Sequence, residues 1–390
     1  MGGGIAGCST AYALAKRGIT VTIIERHEKL ALEASGNPIA ALYPKLSLLP
    51  SMQSTLALLG FNFTLDLLHN LQNNADYFTT CGLIQLAFDA REQARQIALH
   101  EQGAHDFFQL LNMQQASEKA GIALKTGGLF LENAGWIKPA LLCEALTRSP
   151  LITKTLLSNA MYIEQHAGCW RVICAESVIE ADNIVLCNAN DIVQFSQSAH
   201  LNTAVTKVRG QMTFFAQNAA SQALKTMICA QHYLSPAVDG VHSIGATYAP
   251  HDNNSSISDV DTQANLHALG KISPTIFDHL NLHSIADRVA WRSATIDYMP
   301  LAGQLLDETK LRENPPRYNA NPASLPWLCG LYINAGHGSK GMITAPLCGE
   351  IVASLIANSD LNVSAKLASQ LNPSRFLLKE IGLKQLAQSL

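Results

Sequence analysis

The chain has 390 residues, of which 48% are hydrophobic and 15% are charged, and its formal net charge is -3 at pH 7. These values exclude a disordered chain and are typical of a globular protein with two or three domains. The lack of a net positive charge argues only weakly against a nucleic-acid partner, because local basic patches bind phosphates.

Two further patterns concern compartment and metal binding. The nine cysteines are scattered, with no C-x-x-C and no Cys/His cluster at metal-ligand spacing. This pattern predicts reduced thiols in a cytoplasmic protein and no metal site. No apolar run reaches the ~18 residues of a membrane span, so we expect no membrane partner.

The chain begins MGGGIAGCSTAYALAKRGITVTIIER, where Gly2, Gly4 and Gly7 form the pattern G-x-G-x-x-G. Such a loop lets a backbone approach a pyrophosphate and then begins a helix. Small and apolar residues at helical spacing predict a helix over residues 8–17. The β-branched residues 20–24 predict a strand that is buried on both faces.

Glu25 ends this predicted strand, 18 residues after Gly7. Dinucleotide sites place an acid there to bind the ribose hydroxyls, and no nearby arginine is suited to a 2′-phosphate, so the pattern favours FAD or NAD. A buried strand of about five residues normally precedes the glycine loop. Only Met1 does so here, and we therefore expect the first strand of the dinucleotide-binding unit to lie upstream, in a longer reading frame.

A second glycine loop follows a predicted strand at residues 331–333 and precedes an apolar helix. It consists of Gly336, His337, Gly338, Ser339, Lys340 and Gly341. The free amides at the start of that helix are suited to an electron-rich ligand atom. A ligand that contacts both loops must be long, which favours FAD over NAD, although an ordinary strand-to-helix turn is the alternative.

Together these features resemble the D-amino-acid-oxidase-like family of flavoproteins, which includes glycine and sarcosine oxidases, over most of the chain. One branch carries A-S-G-N-x-x-G-A-L-Y-P, and residues 34–44 read ASGNPIAALYP. That branch forms the C-terminal, FAD-dependent part of bifunctional enzymes that make 5-methylaminomethyl-2-thiouridine at the tRNA wobble position. Further matches are Arg209-Gly210-Gln211, Thr344-Ala345-Pro346 and Asn372-Pro373-Ser374-Arg375-Phe376. Ala40 replaces the usual glycine, and residues 187–190 (CNAN) replace a more glycine-rich turn.

The resemblance implies an α/β fold, in which an FAD-binding, Rossmann-like domain of the glutathione-reductase type carries an inserted antiparallel-sheet substrate domain. It also implies that Ser35 and Asn37 contact the cofactor. We expect the FAD-binding domain to comprise residues 1–45, 136–200 and 291–390, a largely helical insertion residues 46–135, and the substrate-domain sheet residues 201–290.

The resemblance implies oxidation of a carboxymethylaminomethyl group on a wobble uridine of tRNA. The products would be an aminomethyl group and glyoxylate, with dioxygen as the electron acceptor that restores FAD. A methyltransferase, fused or separate, would complete the modification.

Arg292 resembles the arginine that binds the substrate carboxylate in this family, since a guanidinium can give two parallel bonds. A structural ion pair with Asp297 is the alternative. Tyr233 and Tyr248 lie on predicted strands and either line the pocket or occupy the core or sheet surface. Lys340 either stabilises negative charge on the reduced flavin or is a solvated lysine at a helix start.

Four basic residues near the C-terminus, which are Lys366, Arg375, Lys379 and Lys384, either contact tRNA phosphates or form a solvated helix face. Two other functions remain open. One is a flavin oxidase of free glycine- or sarcosine-type amino acids, which would share the fold and cofactor. The other is a non-catalytic scaffold.

Overall fold

The computed structural model describes residues 1–71, 73–103, 107–282, 285–361 and 363–390. The fold is mixed α/β, as predicted from the sequence. The helices are α1 (Ile5–Ala15), α2 (Met52–Asn70), α3 (Ala90–Glu101), α4 (Met113–Ala120), α5 (Pro139–Leu146), α6 (Asp259–Ile272), α7 (Pro274–Asp278), α8 (Glu308–Glu313), α9 (Gly341–Ile356), α10 (Ala365–Leu371), α11 (Arg375–Glu380) and α12 (Lys384–Ala387).

The strands of these residues belong to five sheets. They are β1 (Val21–Ile24), β2 (Ala40–Leu42), β3 (Phe78–Thr79), β4 (Leu83–Leu86), β5 (Gln109–Leu111), β6 (Gly128–Leu131), β7 (Gly135–Ile137), β8 (Ile152–Thr155), β9 (Ala160–His166), β10 (Cys169–Cys174), β11 (Val178–Ala181), β12 (Ile184–Leu186), β13 (Val205–Ala216), β14 (Met227–Cys229), β15 (Tyr233–Leu234), β16 (Val241–Gly245), β17 (Ala249–Pro250), β18 (Ala286–Thr295), β19 (Leu301–Leu306) and β20 (Trp327–Ala335).

Two small parallel ladders flank the first glycine loop. β1 pairs with β8, and β12 pairs with β20, whose other neighbour is the antiparallel β19. The N-terminal residues connect the ladders, because Gly2 N donates to Ile24 O and Cys187 N donates to Met1 O, each at 2.8 Å. Met1 N also donates to Val185 O. The first glycine loop therefore begins at the carboxyl ends of both β1 and β12, and the upstream strand stays a prediction.

Helices α1 and α9 pack closely against each other beside these ladders. A Cβ atom on Gly349 of α9 would lie 2.9 Å from Thr10 N of α1, so only glycine allows this approach. Asn334 Nδ2, at the end of β20, donates to Thr10 Oγ1 at 2.9 Å. This packing brings the two helices, and the glycine loops at their N-termini, to one region of the molecule.

The largest sheet has nine strands in the order β17-β13-β16-β15-β14-β4-β6-β5, with β18 pairing to β13. The predicted pairing of the strands near residues 82–88 and 128–131 is present as the antiparallel pair β4–β6. These strands share their sheet with the strands at residues 205–295. The boundaries of the three predicted domains stay a prediction. In the described part of the chain, no helix has the length and apolar character needed to cross a membrane.

Candidate active site

A cavity of about 650 Å³ extends from the first glycine loop to the second and reaches the middle of the largest sheet. Every residue predicted to bind the cofactor, apart from Gly7, lines it. Arg292, Lys340 and Tyr248, the three predicted catalytic residues, also line it. The structure thus brings together residues that are separated by more than 300 positions in the sequence.

Backbone packing explains the glycines of the first loop. A Cβ atom on Gly7 would lie 1.9 Å from Gly2 O, and one on Gly2, whose φ is +97°, would lie 2.7 Å from Cys187 O. Gly4 differs, because its nearest neighbour would be Ser35 Oγ at 3.2 Å. Ser35 Oγ accepts a hydrogen bond from Ile5 N. The N-cap residue of α1 is Gly4, which has no side chain to accept a hydrogen bond from the first turn. The other amides of the first turn lack intrahelical acceptors and suit a diphosphate.

Glu25 is fixed at the end of β1, as predicted. Its Oε2 accepts a hydrogen bond from Gly3 N at 2.7 Å, and its Oε1 accepts one from His27 N at 2.9 Å. The prediction overlooked Arg26, which also lines this end of the cavity. Arg26 forms ion pairs with Glu33 and Asp191, so two carboxylates already compensate the charge that a 2′-phosphate would need.

Asn37, a further predicted cofactor residue, is held by a residue that sequence reasoning missed. Arg288 Nη1 donates to Asn37 Oδ1 at 2.8 Å, and Arg288 Nη2 donates to Leu32 O at 2.9 Å. Arg288 thereby ties the segment that follows β1 to β18. No local sequence signal could reveal it, since 251 positions separate Arg288 from Asn37.

The second glycine loop presents backbone amides and two nitrogenous side chains. Gly336 has a φ of +74°, and a Cβ atom there would lie 2.9 Å from Thr295 Cγ2. His337 Nδ1 lies 3.0 Å from Thr344 Oγ1, whereas its buried Nε2 has no partner among the described residues. Burial lowers the pKa of His337 to about 3. The imidazole is therefore neutral at pH 7.

Lys340 immediately precedes α9, whose N-terminus has no side-chain cap. Burial lowers the pKa of the Lys340 ammonium, and the nearby positive charge of Lys45 lowers it further. Within the described ranges, Lys340 forms no ion pair. Its charge is available to an anionic ligand group beside the second glycine loop.

Arg292 lies on β18, and its guanidinium lies over Gly210, where a Cβ atom would be 2.7 Å from Nη1. Nη1 donates to Thr247 O at 3.2 Å, but no acid pairs with Arg292 in the described part of the chain. Burial lowers the pKa of Arg292. The alternative of an ion pair with Asp297 is wrong, because Asp297 pairs with Arg375.

The two tyrosines considered from the sequence have different environments. Tyr233 lies on β15 and donates its hydroxyl hydrogen bond to Ile39 O at 3.0 Å. Tyr248 is 61% exposed and lies between β16 and β17, so its predicted place on a strand is wrong. The ladder explains the difference: Met212 pairs with Gly245 and Arg209 with Ala249, which leaves three residues opposite two. Tyr248 therefore lies in a bulge.

Arg375 cannot contact tRNA phosphates, which corrects one of the four basic residues considered above. Its side chain is fully buried, and it donates to Asp297, Leu371 O and Met299 O. Lys379 Nζ lies 5.9 Å from the ring centroid of Phe376. Lys366 and Lys384 are exposed, so these two remain available to a polyanion.

Two further cavity residues were not predicted. Lys45 directly follows the ALYP sequence, and His232 directly precedes Tyr233. Neither ring nitrogen of His232 has a partner among the described residues. Burial lowers the pKa of His232, and the charges of Arg292 and Lys271 lower it further. The only signals in the sequence were the position of Lys45 after residues 34–44 and that of His232 before Tyr233.

The residues that line the cavity fit FAD. Free helix-start amides at α1 suit the diphosphate, and Glu25 suits the ribose, while a second set of amides at α9 lies at the other end. Buried polar atoms without partners, Asn188 Oδ1 and His337 Nε2, belong to residues that line the same cavity. A ligand with hydrogen-bonding groups along its length would satisfy them.

Comparison with known proteins agrees with this fit. Two curated relatives carry the name tRNA 5-methylaminomethyl-2-thiouridine biosynthesis bifunctional protein MnmC. The protein from Methylobacillus flagellatus is 40% identical over 393 residues, which covers 100% of this chain and 60% of the relative. The protein from Stutzerimonas stutzeri is 38% identical over 392 residues, which covers 98% of this chain and 59% of the relative. The chain thus spans about three fifths of the length of these relatives.

Solved structures with the same fold include glycine oxidase from Geobacillus kaustophilus, with a TM-score of 0.75 and 21% identity over 93% of this chain and 95% of that one. Iminodiacetate oxidase from Chelativorans has a TM-score of 0.76 and 19% identity over 94% and 96%. The model of the family described as FAD dependent oxidoreductase matches residues 1–355. The chain therefore belongs to the DAO family of FAD-dependent oxidoreductases, and FAD is its cofactor.

Proposed function

We propose that this enzyme oxidises the carboxymethylaminomethyl group on a wobble uridine or 2-thiouridine of tRNA. The products are an aminomethyl group and glyoxylate, in a step of 5-methylaminomethyl-2-thiouridine biosynthesis in the cytoplasm. The names of the curated relatives support this substrate. The proposal depends mainly on one observation: Arg292 lines the cavity and forms no ion pair in the described structure. Its guanidinium is therefore suited to bind a carboxylate.

The reaction breaks a C–H bond next to a secondary amine. FAD, when bound, would supply the two-electron acceptor for the hydride that leaves this carbon. The substrate nitrogen then forms an iminium bond to the same carbon, water adds to that carbon, and the C–N bond breaks to release glyoxylate. Dioxygen is the proposed final acceptor of the two electrons and leaves as hydrogen peroxide.

Positioning is the main task of the protein in such a reaction. Arg292 keeps its charge at any relevant pH and can donate two parallel hydrogen bonds to the carboxylate. The Tyr248 hydroxyl is near enough to influence the pKa of Arg292 and offers a further donor. A substrate anchored in this way has few orientations, and orientation alone can supply several kcal/mol of barrier reduction.

Lys340 has an electrostatic part in this proposal. Its ammonium lies beside the second glycine loop, is half-buried and forms no ion pair within the described ranges. A fixed positive charge in a partly desolvated site stabilises negative charge that develops near it. We infer that Lys340 stabilises the cofactor after it has accepted electrons.

The proposal is tested with tRNA from cells that accumulate the carboxymethylaminomethyl form. FAD-loaded protein is incubated with this tRNA in air, the nucleosides are analysed by mass spectrometry, and glyoxylate is trapped as a hydrazone. We expect aminomethyl nucleoside and glyoxylate in equal amounts. Unchanged nucleosides, together with glyoxylate formation from free glycine or sarcosine, would instead support an oxidase of free amino acids.

A further inference from the structure

Charge is distributed unevenly along the cavity. At the Glu25 end, Arg26 pairs with Glu33 and Asp191, and His27 lies 2.9 Å from Glu33. Around the second glycine loop the cavity is lined by three cations, Arg292, Lys340 and Lys45. None of the three forms an ion pair in the part of the chain that the structure describes. This half of the cavity is therefore suited to several anionic groups at once.

The proposed function assigns two of these cations. Arg292 takes the substrate carboxylate and Lys340 faces the cofactor, so Lys45 is left without a ligand group. Lys45 is near enough to Glu92 for its charge to help lower the pKa of that carboxyl, but Glu92 is already paired with Arg95. Lys45 is exposed although it lines the cavity, which places it where the cavity opens to solvent.

The backbone on both sides of Lys45 is fixed. Pro44 and Leu46 are buried, and Leu46 O accepts a hydrogen bond from Arg95 Nη1 at 2.8 Å. Tyr43 is anchored as well, because Cys229 Sγ donates to its hydroxyl oxygen. A free ammonium is thus presented from a rigid segment. The segment holds the ammonium of Lys45 in place, but no contact of that ammonium within the described residues stabilises the fold.

We propose that Lys45 binds a phosphodiester of the RNA strand next to the nucleoside that enters the cavity. This inference rests on the proposed function. A nucleoside within a polynucleotide brings its own flanking phosphates to the opening of the cavity, whereas a free amino acid brings only its carboxylate. Lysine is a compact point charge that suits a phosphate contact without sequence readout.

The test compares K45Q with K125Q, a matched change at an exposed lysine that does not line the cavity. FAD-loaded proteins are titrated with an anticodon stem-loop RNA that carries uridine at the wobble position, at several KCl concentrations. We expect K45Q to weaken binding about fivefold and to reduce the slope of log affinity against log salt by about 0.7. K125Q should behave as the wild type, and flavin absorbance reports the folding of each variant.

A chemical counterpart identifies the contact. Neutral methylphosphonates replace the phosphates on either side of the wobble nucleoside. They should weaken binding to the wild type as much as K45Q does, and should cause no further loss in K45Q. Two results would overturn the role of Lys45 without affecting the proposed function. One is equal RNA affinity of K45Q and the wild type, and the other is a loss of affinity from the methylphosphonates that adds to the loss from K45Q. A wild-type protein that binds neither this RNA nor a stem-loop with the carboxymethylaminomethyl group at the wobble position would overturn the proposed function as well.

Discussion

Arg375 and Asp297 form a bidentate pair, in which Arg375 Nε lies 2.9 Å from Asp297 Oδ2 and Arg375 Nη2 lies 2.9 Å from Oδ1. The pair joins α11 to the loop between β18 and β19. Asp297 is the only acidic residue within five positions after Arg292, and its carboxylate is paired with Arg375. One arginine therefore stabilises the fold, while the other keeps its guanidinium available to a substrate.

The first prediction concerns the stability that this pair provides. Burial raises the pKa of Asp297, but the hydrogen bonds and charge of Arg375 outweigh burial and lower the pKa below its ordinary value. The stabilisation is therefore complete above the unfolded-state pKa of about 4 and is lost as pH falls through the folded-state pKa. At pH 7 the free energy of unfolding of D297N should be about 3 kcal/mol lower than that of the wild type, because Arg375 stays buried without its counter-charge.

Urea unfolding of FAD-loaded wild type and D297N at pH 7 and at pH values below about 4 measures this difference. The difference in free energy of unfolding between the wild type and D297N should decrease as the pH falls. An identical free energy of unfolding at pH 7 would show that the pair contributes nothing.

The second prediction concerns Arg292. R292K keeps the positive charge but loses the planar fork, so we expect kcat/KM for the carboxymethylaminomethyl substrate to fall about 100-fold. FAD content should not change. R171K, at a surface arginine paired with Glu180, is the matched control and should leave the kinetics as in the wild type. Unaltered kinetics of R292K would remove the proposed carboxylate contact.

The third prediction separates steric from conformational roles of glycine. In G7A the new Cβ would lie 1.9 Å from Gly2 O, so the first loop must shift and FAD binding should be lost. In G18A the Cβ meets nothing within 4 Å, although φ is +75°. G18A should therefore cost about 1 kcal/mol of stability and retain FAD. Flavin absorbance after gel filtration distinguishes them, and a yellow G7A protein would contradict the loop geometry.

The fourth prediction concerns the turn at residues 187–190. Ala189 has a φ of +52°, a conformation that costs an L-residue roughly 1 kcal/mol, and the resemblance already indicated that glycine is usual in this turn. A189G should therefore raise the free energy of unfolding by about 1 kcal/mol. The control A140G, at an exposed position in α5, should lower it by about 1 kcal/mol. Thermal unfolding that shows A189G to be destabilised would contradict this interpretation.

Local patterns predicted the two glycine loops, because each depends on neighbours in the chain. The helix predicted at residues 8–17 forms at Ile5–Ala15, and the strand predicted at residues 20–24 forms at Val21–Ile24. The small and apolar residues of α1, the β-branched residues of β1 and the glycine between them, Gly18, are all visible in the sequence. The anticipated acid at Glu25 followed from the same register.

Contacts between distant segments could not be predicted. Arg375 finds Asp297 across 78 positions, and Arg288 finds Asn37 across 251. Tyr248 leaves the sheet because of the register in which β13 meets β16 and β17, which no property of residues near Tyr248 specifies. The predicted roles of the cavity residues remain predictions, since they depend on a bound substrate.

Anaerobic mixing tests the central claim most directly, because it observes cofactor and substrate in one turnover. FAD-loaded protein is mixed, without dioxygen, with tRNA that carries the carboxymethylaminomethyl group, and in parallel with glycine or sarcosine at the same concentration. We predict that the yellow absorbance disappears with the tRNA and persists with the free amino acids. Loss of colour with glycine or sarcosine, and none with the tRNA, would contradict the account.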